Sequence, residues 1–168
     1  MLRQAYRLFL TENFEKVTIR DIERVTGRTR GAVFYHFRDK QHILETVVNE
    51  IYFAEMKKNG NEPGYLTDFD SFMHKYKSPC ERIISHIKES CKSINAEKAF
   101  FHFTLQAGMY YPDFDAAYSS IIREENTSLA RLLSGLTNNI SKNDVGLLAP
   151  YSLTVFTVRH LPMPCLLK

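Results

Sequence analysis

Thr26-Gly-Arg-Thr-Arg-Gly-Ala-Val-Phe-Tyr-His-Phe-Arg-Asp-Lys40 is the stretch on which the reading of this chain turns. Gly27 ends a helix, because glycine accepts the left-handed conformation of a helix C-terminus without a Cβ clash. Thr29 follows closely and caps a new short helix, and Asp39 caps the next, longer one. Just upstream, Thr18-Ile-Arg-Asp21 reads as a capping box, in which an acidic side chain reaches back to the cap residue. The spacing predicts a two-turn helix from there to Gly27, with Ile19, Ile22 and Val25 on its buried face. Two short helices joined by a tight Gly-bearing turn, the second opened by small and basic residues, form the helix-turn-helix pattern.

Working outward, Leu2, Ala5, Tyr6 and Phe9 fall at i, i+3, i+4 and i+7 and make one apolar stripe of a first helix. On the other side, Ile43, Leu44, Val47, Val48, Ile51 and Tyr52 predict the inner face of the long helix that Asp39 opens. That pattern fades in the polar, Gly- and Pro-bearing run from Lys57 to Gly64, the one convincing boundary in the chain. The expected division is 1–58 as a helix-turn-helix domain with the start of a connecting helix, and 65–168 as a second helical domain. Charge follows the same division. Residues 1–60 hold eleven Lys/Arg against eight Asp/Glu, whereas 61–168 hold eleven of each, so the net +3 lies wholly in the first part. From Lys16 to Lys40 it sharpens to seven basic residues against three acidic ones. Such a patch favours a polyanion, since each phosphate it neutralises releases condensed counterions.

A helix fits the major groove of duplex DNA, and its N-terminal residues point at base edges there. Arg28, Thr29 and Arg30 open the second helix of the pattern and can donate to phosphates or to guanine. Gly31, without a side chain, allows close approach to the sugar-phosphate backbone. At these residues the sequence resembles the TetR family of repressors. The shared features are a Gly ending the second helix, Thr-Arg-Gly, an aromatic pair, His-Phe, and Lys40 opening the fourth helix. Ala5, Leu8-Phe9 and Thr18 to Ile22 agree with the family's first and second helices.

The resemblance implies roles residue by residue. Thr18 would cap the second helix and touch a phosphate. Thr29, Arg30 and Gly31 would enter or border the groove, Tyr35 and His36 would reach backbone or bases, and Lys40 would meet a phosphate. Phe37 would pack in the small core. The sequence departs from the family at Glu23 and Thr26, where alanines are usual, and at Arg28, which adds a cation. Phe34 stands where the family often has Tyr, which removes a hydroxyl. The family further implies a homodimer on an inverted repeat of double-stranded DNA, a small-molecule effector, and a location in the cytoplasm.

The rest of the chain is also helical in pattern, with no alternating strand signal, so the fold class is all-α. The expected architecture is a three-helix helix-turn-helix domain linked by a long helix to a helical ligand-binding and dimerisation domain. Ser78-Pro-Cys-Glu81 is a helix start, Asn95 caps an aromatic-rich helix ending at Gly108, and a longer helix follows Pro112. Ser141 opens a last helix, and Pro162 and Pro164 exclude a helix interior near the terminus. Phe100, Phe103, Gln106, Tyr110, Phe114 and Tyr118 belong to a dense aromatic cluster with few polar groups, a lining that suits an apolar or aromatic effector. For any single one of these aromatics, a place in a bulky hydrophobic core is the reading the residues favour over contact with a ligand.

Other functions find little in the residues. His86 and Cys91 are five apart and so lie on different faces of a helix, and no His sits at metal spacing from the paired acids. No phosphate-binding glycine loop, nucleophile motif or cofactor site is present in the pattern, and no apolar run is long enough to span a membrane. Cys80, Cys91 and Cys165 make neither a disulfide framework nor a zinc site and read as buried thiols. The remaining alternative is a small-molecule-binding or adaptor protein that retains the helix-turn-helix without using it.

Overall fold

A computed structural model describes residues 1–58 and 76–136, with side chains to residue 128. The described elements are helices: α1 (Leu2–Thr11), α2 (Ile19–Thr26), α3 (Arg30–His36), α4 (Lys40–Val47), a π-helical turn (Val48–Phe53), α5 (Ala54–Lys57), α6 (Pro79–Ser90), α7 (Ala96–Tyr110) and α8 (Phe114–Leu136). The boundaries come from the caps anticipated above. Thr18 and Asp21 form the reciprocal capping box of α2. The Thr29, Asp39 and Asn95 side chains accept the first free N–H groups of α3, α4 and α7. Gly27 closes α2 at φ 64°, the left-handed region, with nothing within 4 Å of a Cβ placed there. Its backbone conformation therefore demands glycine, whereas the surrounding space does not.

Met1–Asn59 and Pro79–Ile121 form one compact unit, so helices from both sides of the 57–64 boundary share a core. Its base is Ala5, Tyr6, Phe9 and Leu10 of α1, packed with Ile22, Val33, Ile43 and Leu44 of the neighbouring helices, all essentially buried. Above them Tyr52 is wholly enclosed, with ring centroids of Phe103 at 5.3 Å, Phe114 at 6.1 Å and Phe100 at 6.3 Å. Burying each such ring stabilises by roughly 1.5–3 kcal/mol, which makes this cluster a main source of cohesion for the unit. In the second unit, Gly60–Ser78 with Ile122–Lys168, Tyr76 Oη donates to Glu125 Oε1 at 3.3 Å.

Three expectations change. Val25 is 37% exposed, because successive steps of three residues drift off a helix face and the second turn of α2 has rotated away. The long connecting helix carries a π-helical turn at Val48–Phe53. Its wider winding brings Phe53 into the core and leaves Ile51 half-buried, where unbroken α periodicity puts Ile51 inside. Gly108 does not end α7, which runs on to Tyr110. The helix expected from Ser141, the prolines near the terminus and Cys165 lie outside the described residues. Cys91 is buried and Cys80 half-buried, both as free thiols. No described helix is long and apolar enough to cross a membrane.

Candidate nucleic-acid interface

The helix α3 is anchored on one side only. Val33 is fully buried and Phe37, its C-cap, nearly so. At about 100° per residue, Gly31 and Tyr35 lie roughly opposite Val33, and Tyr35 is 85% exposed. Arg28, Thr29, Arg30, Gly31 and His36 are exposed as well, so each of these expected site residues is accessible. Thr29 Oγ1 accepts the Ala32 N–H at 3.3 Å, which fixes where α3 begins. The Arg30 guanidinium lies over the Phe34 ring, 5.5 Å from its centre, and the Tyr35 ring meets His36 edge-on at 5.0 Å. A Cβ at Gly31 would meet nothing within 4 Å, so glycine there answers to no neighbour in the described residues.

The helix behind it, α2, supplies the second edge. Thr18 Oγ1 accepts from the Asp21 N–H at 3.2 Å and donates to Asp21 Oδ2 at 2.7 Å. The Thr18 hydrogen bonds, with Arg24 and Arg20 nearby, hold the Asp21 carboxyl below its ordinary range. Arg24 pairs with Asp21 at 2.8 Å and is otherwise exposed, as is Arg20. These two arginines extend the cationic surface onto α2. Their charge enters the excess between Lys16 and Lys40, but no motif marks them as site residues.

The Lys40 ammonium is engaged within the protein itself. It donates to the carbonyls of Phe14 at 2.6 Å, Val17 at 2.8 Å and Glu15 at 3.4 Å. It also lies 4.3 Å over the Phe14 ring. Burial lowers its pKa, with the Glu15 charge acting the other way. Those carbonyls belong to the turn between α1 and α2, where the chain has left a helix without partners for its oxygens, and a cation satisfies several at once.

The cluster expected to line a pocket also divides in two. Phe100, Phe103 and Phe114 are buried around Tyr52, and Tyr118 stacks on Phe114 at 5.5 Å with its hydroxyl 3.5 Å from Cys80 Sγ. Burial raises the pKa of both Tyr118 and Cys80. Gln106 and Tyr110 instead face the α1–α2 turn. Gln106 Oε1 accepts the Phe14 N–H, and its Nε2 donates to the Phe9 carbonyl at 3.1 Å. Tyr110 packs on Phe14 at 4.6 Å and donates its hydroxyl to Glu15 at 2.8 Å. One turn before Gln106, His102 Nε2 lies 3.0 Å from Asn13 Oδ1. The i, i+4, i+8 spacing of His102, Gln106 and Tyr110 was a readable polar stripe on a helix rich in aromatics.

Comparison with known proteins bears on the same segment. Residues 1–47 match the family model of bacterial regulatory proteins, tetR family. Over 50 residues the chain is 38% identical to the HTH-type transcriptional repressor AcnR of Corynebacterium glutamicum, covering 30% of this chain and 27% of that protein. It is 38% identical over 50 residues to the HTH-type transcriptional repressor Rv1474c of Mycobacterium tuberculosis, with the same coverage. The match thus spans little more than a quarter of the length of these relatives. No solved structure matches the chain. Capped short helices, a left-handed glycine between them, an exposed α3 and these matches converge. Residues 1–47 thus form a helix-turn-helix segment of the kind found in the tetR family of bacterial regulatory proteins.

Proposed function

We propose that the protein is a sequence-specific DNA-binding transcriptional repressor, not an enzyme, and that α3 enters the major groove. The observation that carries this reading is the one-sided burial of α3. Val33 and Phe37 hold it down while Arg28, Thr29, Arg30, Gly31, Tyr35 and His36 remain exposed on a cationic segment. Thr18 and the exposed Arg20 and Arg24 of α2 flank it toward the phosphates. Gly31 tests the reading cleanly. Its Cβ would meet no protein atom, so Gly31→Ala keeps the fold and gains up to about 1 kcal/mol of helix stability. The added methyl stands on the surface offered to the duplex and lowers affinity for DNA. Tyr35→Ala, equally harmless to the core, costs roughly 1–3 kcal/mol on the selected site and much less on random duplex. If both variants bind a selected duplex as the parent does, α3 does not read DNA, and the adaptor reading takes its place.

The finer reading is a homodimer on an inverted repeat, one α3 per half-site, released by a small apolar or aromatic molecule. Domain roles follow the division into 1–58 for DNA and 65–168 for effector and partner. Support for an effector comes from the aromatic cluster around Tyr52 and from Tyr6, whose buried hydroxyl has no hydrogen-bond partner among the described residues. A ligand polar atom meeting that hydroxyl would remove an unsatisfied group from the core. Binding assays with candidate effectors on Phe103→Ala and Tyr118→Ala decide the location. An unchanged response in both places the site elsewhere.

A further inference from the structure

Phe34 is a phenylalanine on the exposed side of α3, 39% accessible, one helical turn from Arg30. The two side chains are not independent, because the Arg30 guanidinium lies over the Phe34 ring at 5.5 Å. On the helical wheel Arg30 and Phe34 fall about 60° and 100° from buried Val33 on the same side, beside the Gly31–Tyr35 face. A guanidinium stacked on a ring uses its flat face for that contact, and its fork of N–H donors stays free in its own plane. The stack also removes rotamer freedom before any partner arrives, which lowers the ordering cost of binding.

The chemistry of this pair defines what fits it. In the major groove a fork of donors is matched by O6 and N7 of guanine. The ring beside the fork has no hydroxyl, so it offers nothing to a neighbouring base that presents only donors and acceptors. The apolar group on a base edge is the methyl at C5 of thymine, which 5-methylcytosine carries at the same position. We propose that Arg30 and Phe34 act as one composite reader of a guanine adjoining a C5-methylated pyrimidine. This rests on the proposed function above, since it concerns the same helix in the same groove. Tyr35, 85% exposed on the adjacent face, is left for a separate contact.

The test starts from duplexes selected out of a random pool by the full chain. Each thymine adjoining a guanine is then replaced by deoxyuridine, which removes the C5 methyl and nothing else. Binding should weaken about four-fold at one such position in the half-site, the ratio for one buried methyl. At that position 5-methylcytosine should bind more tightly than cytosine, and which of thymine and 5-methylcytosine binds better tells which source of the methyl is preferred. Phe34→Ala should still bind the duplex yet no longer distinguish thymine from uracil. Arg30→Lys, which keeps the charge without the fork, should lose the preference for guanine over 7-deazaguanine. Equal binding of thymine and uracil beside every guanine overturns the inference and leaves DNA binding standing. So does a Phe34→Ala variant that keeps the discrimination. A chain that selects no duplex overturns both readings.

Discussion

Lys40 shows how one side chain is assigned by geometry. From its place at the head of α4 it would meet a phosphate, yet its ammonium is turned onto the carbonyls of Phe14, Glu15 and Val17 and the face of Phe14. Charge-assisted bonds of this kind contribute more than neutral ones. Lys40→Ala should therefore cost about 2 kcal/mol of stability in urea unfolding. The slope of log affinity for DNA against log salt should stay that of the parent. A slope smaller by about one, with stability unchanged, would return Lys40 to the phosphate. Tyr35 and Gly31 behave oppositely, exposed and unneeded by the core, so Tyr35→Ala and Gly31→Ala are expected to weaken binding without destabilising the fold.

At the scale of elements, α2 and α3 are too short to persist by propensity, so caps and packing have to hold them. The capping box of α2 depends on the ionised Asp21, which accepts from the Thr18 N–H at 3.0 Å and from its hydroxyl. Because the folded-state pKa of Asp21 lies below its unfolded value, its contribution is complete above the ordinary carboxylate range. It is lost as the pH falls through the depressed folded value. Asp21→Asn should flatten that part of the stability profile, and the difference between parent and variant should shrink as the solution is acidified. A constant difference down to the acid limit would mean that the carboxylate charge contributes nothing to the box. The π-helical turn at Val48–Phe53 is the other device at this scale, since it rotates Phe53 into the core against Phe114 at 5.4 Å.

For the molecule as a whole, the consequential feature is that α7 holds the helix-turn-helix from outside its own segment. Gln106 satisfies the buried Phe14 N–H of the α1–α2 turn and the buried Phe9 C=O in the last turn of α1, and Tyr110 and Lys40 flank Phe14 there. Arg7 adds a bond to the Ser90 carbonyl at 2.6 Å. Gln106→Leu keeps the volume but leaves two buried backbone groups unpaired, at about 1–3 kcal/mol each. The expected result is a lower midpoint with one cooperative transition, reported alike by probes on α3 and on α7. Separate transitions for the two probes would mean that residues 1–58 fold without the later helices.

What the sequence by itself determined here is local chemistry. Caps at Thr18, Thr29, Asp39 and Asn95, the left-handed glycine at Gly27 and the Pro79 helix start each act within a turn or two of chain. They specify helix ends without reference to the rest of the molecule, and with the excess of charge they made α3 legible as a short, basic-headed helix behind a tight turn. Tertiary structure decided what each long or ambiguous side chain is for. Lys40, Gln106 and Tyr110 could reach either solvent, ligand or the α1–α2 turn, and the choice depends on carbonyls and a ring brought close by packing across as many as 97 residues of chain. The inward face of the connecting helix depended likewise on a π turn, whose extra residue is dictated by fitting Tyr52 and Phe53 among Phe100, Phe103 and Phe114. Hydrogen bonds along the backbone are local and recur with period, whereas the partners of a buried polar group are set by whatever segment the fold places beside it.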